Sequence, residues 1–129
     1  MKYFPINLDV AGRKVLVIGG GKVACRKVEK LLDCGADVTV VSPEFCPRLV
    51  RLQGIKRITR GYRKGDQRGA WLVVSAAGPQ EVNRRAWKHA SEADIPINVV
   101  DQPEMCNFTV PAVLSWGDLL ITISTGGGS

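Results

Sequence analysis

The sequence predicts an α/β protein, a parallel sheet with helices on both faces, and three observations carry that expectation. Short β-branched apolar runs alternate with stretches of helical period. Glycine or proline closes most of the runs. Three consecutive glycines separate the first run from the first helical stretch.

Taken in order, residues 14–18 form a first strand, a β-branched run with a buried reading on both faces. The spacing of Val23, Ala24, Val28, Leu31 and Leu32 predicts a helix over 23–34, with Gly35 as its stop. Residues 37–41 give a second strand that Pro43 closes. A short helix over 46–53 and a third strand over 55–59 follow. Residues 71–77 read as a fourth strand ended by Gly78-Pro79, 80–93 as a helix, and 97–100 as a fifth strand running into Asp101. After Pro111 the alternation stops, and 119–124 is one more strand with no helix leading into it.

Composition narrows the class. The chain has 129 residues, 45% hydrophobic and 23% charged, which is globular rather than disordered. No apolar stretch approaches the roughly 18 to 20 residues of a membrane span, and Met1 to Pro5 lacks the apolar core of a signal peptide. A cytoplasmic protein without membrane partners is expected. The four cysteines form no CxxC pair and there is a single histidine, so neither a metal site nor a disulfide framework is expected. The net charge of +6 is uneven: Arg48, Arg51, Lys56, Arg57, Arg60, Arg63, Lys64 and Arg68 share a segment whose only acid is Asp66. That segment is either a solvated face or a surface for a polyanion. With one aromatic, Tyr62, and no nucleic-acid motif, nucleic acid is not the expected partner.

Gly19-Gly20-Gly21-Lys22-Val23-Ala24 reads G-x-G-x-x-A, after a strand and opening a helix, the context a dinucleotide turn requires. Gly19 permits the tight turn and Gly21 leaves room for a pyrophosphate. Ala24 keeps helix and strand close, and the first N–H groups of the helix favour an anion. The alternative is a glycine-rich turn with no ligand. On the ribose side the second strand ends in Ser42, Pro43 and Glu44, which offer acceptors and no arginine for a 2′-phosphate, favouring NAD over NADP. Asp101, at the carboxyl end of a strand and flanked by Asn98, Pro103 and the apolar Phe108, is either a general acid or base with a raised pKa or a turn residue.

Together these pieces resemble the precorrin-2 dehydrogenase family, the N-terminal half of siroheme synthases. The matching stretches are Tyr3-Phe4-Pro5-Ile6 with Leu8, the glycine turn with Arg26-Lys27, and Asn98-Val99-Val100-Asp101. Asn107-Phe108 with Pro111-Ala112 and Ile123-Ser124-Thr125-Gly126-Gly127 complete them. The resemblance implies a Rossmann-like domain over 1–112 that binds NAD, and over 113–129 the beginning of a β-containing dimerisation and substrate region. It implies oxidation of precorrin-2, a tetrapyrrole, to sirohydrochlorin, with ferrous iron inserted by some members, and a homodimer. It gives Asp101 the catalytic role. It sets Gly19, Gly21, Lys22, Val23, Ser42, Pro43, Glu44, Ala76 and Ala77 against the cofactor, and Ser124, Thr125, Gly126 and Gly127 near the tetrapyrrole. The basic segment gains a candidate purpose, because precorrin-2 carries many carboxylates. Two departures stand out. Ala77-Gly78-Pro79 replaces an acidic or threonine-containing turn, and the chain stops at Ser129 where family members continue into a helical region, as a truncated form would. A rival reading is a non-catalytic NAD-binding regulatory module, for which Asp101 and the 124–127 loop have no use.

Overall fold

The computed structural model describes residues 1–125. Its elements are β1 (Lys14–Ile18), α1 (Lys22–Asp33), β2 (Asp37–Ser42), α2 (Pro47–Arg51), β3 (Ile55–Thr59), β4 (Leu72–Ser75), α3 (Gln80–Glu92) and β5 (Ile97–Val99). A 3-10 turn at Pro103–Met105 and the strands β6 (Ala112–Trp116) and β7 (Leu119–Ile123) follow. The first five strands form one parallel sheet in the order β3-β2-β1-β4-β5. The order reverses between β1 and β4, the place where doubly wound sheets bind ligands.

Burial on both faces explains why the strands read as continuous apolar runs. In β1, Val15 and Val17 turn toward Ala24, Cys25 and Val28 of α1 and Leu49 of α2. Leu16 and Ile18 turn toward Ala86 and Ala90 of α3. Helices therefore cover both faces, as expected. Between β3 and β4 the chain crosses to the α3 side without a helix, and Tyr62 and Ala70 of that crossover fill the second core.

Two expectations need correction. The fourth strand stops at Ser75 rather than Ala77. Ala76 N–H still reaches the carbonyl of Ile18 at 2.7 Å, but Ala77 turns away to pair with the side chain of Asn83. The final strand is not solitary. It is the second arm of an antiparallel hairpin, Ala112 opposite Ile123 and Trp116 opposite Leu119, joined at Gly117-Asp118. Pro111 hid the first arm by closing the preceding pattern, while Gly117-Asp118 was a readable two-residue hairpin turn. Among the described residues no helix is long and apolar enough to cross a membrane.

Candidate active site

The loops after β1, β2 and β4 surround an open cleft of about 930 Å³ at the carboxyl ends of the strands. Each glycine of the turn has a different task. Gly19 has φ +121, and a Cβ there would run into the backbone carbonyl of Ala76. At Gly20 a Cβ would strike the carbonyl of Glu44 and lie 2.8 Å from Ser42 Oγ. The Gly20 carbonyl also accepts the N–H of Cys46 at 2.7 Å. A Cβ at Gly21 meets nothing within 4 Å. The first two glycines let neighbouring loops close on the turn, and the third leaves one side of it open toward a ligand. Gly20 was absent from the expected site, and its signal was a third glycine where the fingerprint needs two.

Gly21 is the N-cap of α1, which has no capping side chain and no acidic residue in its first turn. The N–H groups of that turn are left for an anion. Lys22 and Val23 line the cleft beside them. Pro43 and Glu44 line the β2 side. Ser42 is buried and donates its hydroxyl proton to the Glu44 carbonyl at 2.7 Å, so its first duty is to shape that loop. The only cation among the described lining residues is Lys22, and Glu44 is the only acid.

Ala76 and Ala77 form the opposite lip, held by a residue the sequence reading passed over. Asn83 is 2% exposed. Its Oδ1 accepts from Ser75 Oγ at 2.6 Å and from Ala77 N–H at 3.1 Å, and its Nδ2 donates to the Ala77 carbonyl at 3.0 Å. The signal was there: Asn83, Ala86 and Ala90 share the buried face of α3.

Asp101 stands outside the large cleft. Gln102 N–H bonds the Val99 carbonyl at 3.2 Å, which makes Asp101 the third residue of a tight turn after β5, at φ +61. This strand is the sheet edge, separated from β1 by β4. Asp101 is exposed and lines a smaller pocket of about 270 Å³ with Val23, Arg26, Lys27, Lys30 and Val100. The expected apolar setting is therefore corrected to a cationic one. Asn98 Nδ2 instead donates to the Phe108 carbonyl at 3.0 Å, and Phe108 packs on the α1 core. Val23 lines both cavities, so the two are adjacent. Burial, and then the neighbouring Lys30 and Arg26, push the Lys27 ammonium below its usual range, opposed by Asp101.

Three of the eight cations in the basic segment have intramolecular work. Arg48 pairs with Glu29 at 2.6 Å and Arg60 with Asp66 at 2.8 Å. Arg57 donates to the carbonyls of Leu49 and Leu52, closing the end of α2. Its Tyr62 is 5% exposed, packed against His89, with its phenol pushed up to about 12 chiefly by burial. The cations beside Asp101 come from α1 instead. Ser124 and Thr125 are exposed just beyond β7, while Gly126 and Gly127 lie outside the described residues. All four cysteines are free, and burial raises the Cys25 thiol. Among the described residues no group of three or more His, Cys, Asp or Glu side chains is placed to hold a metal ion.

A doubly wound sheet with this glycine turn at its switch point defines a dinucleotide-binding domain. The chain belongs to the family whose model, described as "Putative NAD(P)-binding", matches residues 6–112. Relatives and a solved structure narrow the likeness. The siroheme synthase of Thioalkalivibrio sulfidiphilus is 40% identical over 132 residues, covering 100% of this chain and 27% of that protein. The siroheme synthase of Methylobacillus flagellatus is 42% identical over 130 residues, covering 98% and 28%. The structure of SirC, a precorrin-2 dehydrogenase, superposes with a TM-score of 0.86 at 30% identity, covering 98% of this chain and 64% of that one. The chain thus spans little more than a quarter of the siroheme synthases it matches, and the family resemblance read from the motifs is the one these comparisons return.

Proposed function

We propose that this chain carries the NAD-dependent oxidation of precorrin-2 to sirohydrochlorin. The observation behind the reading is a dinucleotide cleft that shares Val23 with a pocket holding Asp101. In the overall reaction the macrocycle loses a hydride and a proton. The dinucleotide, when bound, supplies the hydride acceptor. The protein's share is placement and proton handling. The first turn of α1 and Gly21 hold the pyrophosphate, and the loops at Glu44 and Ala76-Ala77 flank the remainder. Asp101 accepts the proton, and Lys27 lines the same pocket. Glu44 and the absence of arginine from the described cleft lining favour NAD over NADP, which titration with both dinucleotides checks.

Two finer statements belong to this reading. The exposed apolar hairpin is the surface for a homodimer, and the four free thiols suit a reducing cytoplasm. Ferrous-iron insertion rests on the resemblance alone. The test is NADH appearance with precorrin-2 at saturating NAD. Asp101→Asn is expected to cut turnover at least about tenfold while NAD affinity stays within about threefold, near 0.7 kcal/mol. Near-parental turnover in the variant would make Asp101 a turn residue only. NAD binding without any turnover in the parent would favour the regulatory module.

A further inference from the structure

The α1 side of the small pocket presents an electrostatic arrangement that the dinucleotide does not explain. Arg26, Lys27 and Lys30 stand together there, with Arg26 and Lys30 one helical turn apart. Like charges at that spacing repel. Lys22, Arg26 and Lys27 also crowd the half of α1 where the helix dipole is already positive, and the first turn holds no acid to offset them. Among the described residues none of the three pocket cations has an ion-pair partner within 4.0 Å. Glu29 of the same helix turns to Arg48 and not to these three. Lys27 is moreover half-buried, so water compensates its charge only in part. Among the described residues lining the pocket Asp101 is the one acid, beside three cations.

We propose that Arg26, Lys27 and Lys30 form a subsite for one carboxylate side chain of the substrate, anchoring the macrocycle beside Val23 with its reacting edge toward Asp101. The assignment rests on the tetrapyrrole reading above and adds to it which residues recognise the substrate's acidity. A pocket of about 270 Å³ suits an acetate- or propionate-sized arm rather than a ring system. Arginine and lysine supply a fork and two point donors, a set suited to a carboxylate. The basic segment 48–68, to which the family resemblance gave this candidate purpose, already engages Arg48, Arg57 and Arg60 internally. These three residues are positioning and binding residues, and proton transfer stays with Asp101.

The experiment titrates sirohydrochlorin, the expected product, and separately NAD into the parent, the double variant Arg26→Gln/Lys30→Gln, Lys27→Met and Lys27→Arg. Circular dichroism confirms that each is folded. Expected results are at least a tenfold loss of sirohydrochlorin affinity in the double variant and in Lys27→Met, substantial recovery in Lys27→Arg, and NAD affinity within about twofold throughout. If the parent binds sirohydrochlorin and all variants bind it equally, the subsite is overturned while the dehydrogenase reading stands. If the parent binds NAD but not sirohydrochlorin, the tetrapyrrole reading falls, and the subsite with it. Inorganic phosphate and acetate are added as competitors. Displacement of sirohydrochlorin by phosphate at far lower concentration than by acetate would mark a phosphate site and overturn the carboxylate assignment.

Discussion

In the five-stranded sheet, Val15, Leu16, Val17 and Ile18 of β1 are each exposed to 2% or less, whereas in the hairpin every residue of β6 and β7 is exposed, with Leu114 at 65% and Trp116 at 86%. The two regions are built from similar residues. What differs is the source of their partners. β1 has α1 on one face and α3 on the other, both supplied by its own chain through short connections. β6 and β7 pair with each other, and a two-stranded ribbon is marginal alone in water. An apolar side chain gains about 1.5 to 3 kcal/mol when fully buried, and the hairpin leaves that gain largely unrealised. The difference teaches that β-prone apolar sequence announces a strand but not its partner. It also separates a sheet covered by helices of its own chain from an exposed apolar ribbon.

The largest effect expected on the self-contained side is at the glycine turn. Gly20→Val drives a side chain into the backbone of the Glu44 loop, a contact that only backbone movement relieves. A loss of at least about 3 kcal/mol of stability is expected by urea unfolding, the severe end of overpacking. Parental stability would mean that the β2–α2 loop does not sit on the turn.

Next comes Asn83→Leu. It removes the partner of Ser75 Oγ and of both backbone groups of Ala77 in a buried setting. A cost of about 2 kcal/mol is expected from the groups left unsatisfied. Thermal and urea unfolding measure it, and NAD affinity should fall with it because one lip of the cleft loses its anchor. An unchanged midpoint would show that the lip is held some other way.

The smallest effect on stability is expected in the hairpin, where the effect on assembly is largest. Leu114→Glu/Ile121→Glu changes a directly opposed, exposed pair. At low concentration the unfolding midpoint should shift by no more than about 0.5 kcal/mol equivalent. Light scattering should show the parent as a dimer and the variant as a monomer. A monomeric parent at high concentration removes the homodimer. A strongly destabilised monomeric variant breaks the contrast between the two regions instead.

How much of this was legible depended on whether a signal was local. The alternation of runs, the glycine turn and the helix stop at Gly35 are local, and the sheet with helices on both faces followed from them. The tight turn at Gly19 and the open side at Gly21 were legible for the same reason. Gly20 was not, because its demand comes from Glu44, which lies 24 positions later and returns to it only in the fold. Asn83 looked like a polar helix residue until β4 lay against it. The surroundings of Asp101 were read from its sequence neighbours, Asn98, Pro103 and Phe108, yet its pocket is completed by α1, some seventy residues upstream. For the basic segment the sequence left a solvated face and a polyanion surface both open, and the fold adds that Arg48, Arg57 and Arg60 are engaged by carboxylates and carbonyls of the chain itself. β6 was missed because Pro111 resembled an ending, although the hairpin turn that follows was readable.

The central claim is that the glycine turn is a dinucleotide site with its open side at Gly21, and calorimetric titration of NAD into the parent and Gly21→Val tests it most directly. A Cβ at Gly21 meets no protein atom within 4 Å, so the variant is expected to keep the parental circular dichroism spectrum and lose about 1 kcal/mol of stability or less. It should nevertheless lose NAD binding, because the added methyl groups occupy the space through which the pyrophosphate reaches the first turn of α1. A folded Gly21→Val that binds NAD with parental affinity would contradict the account.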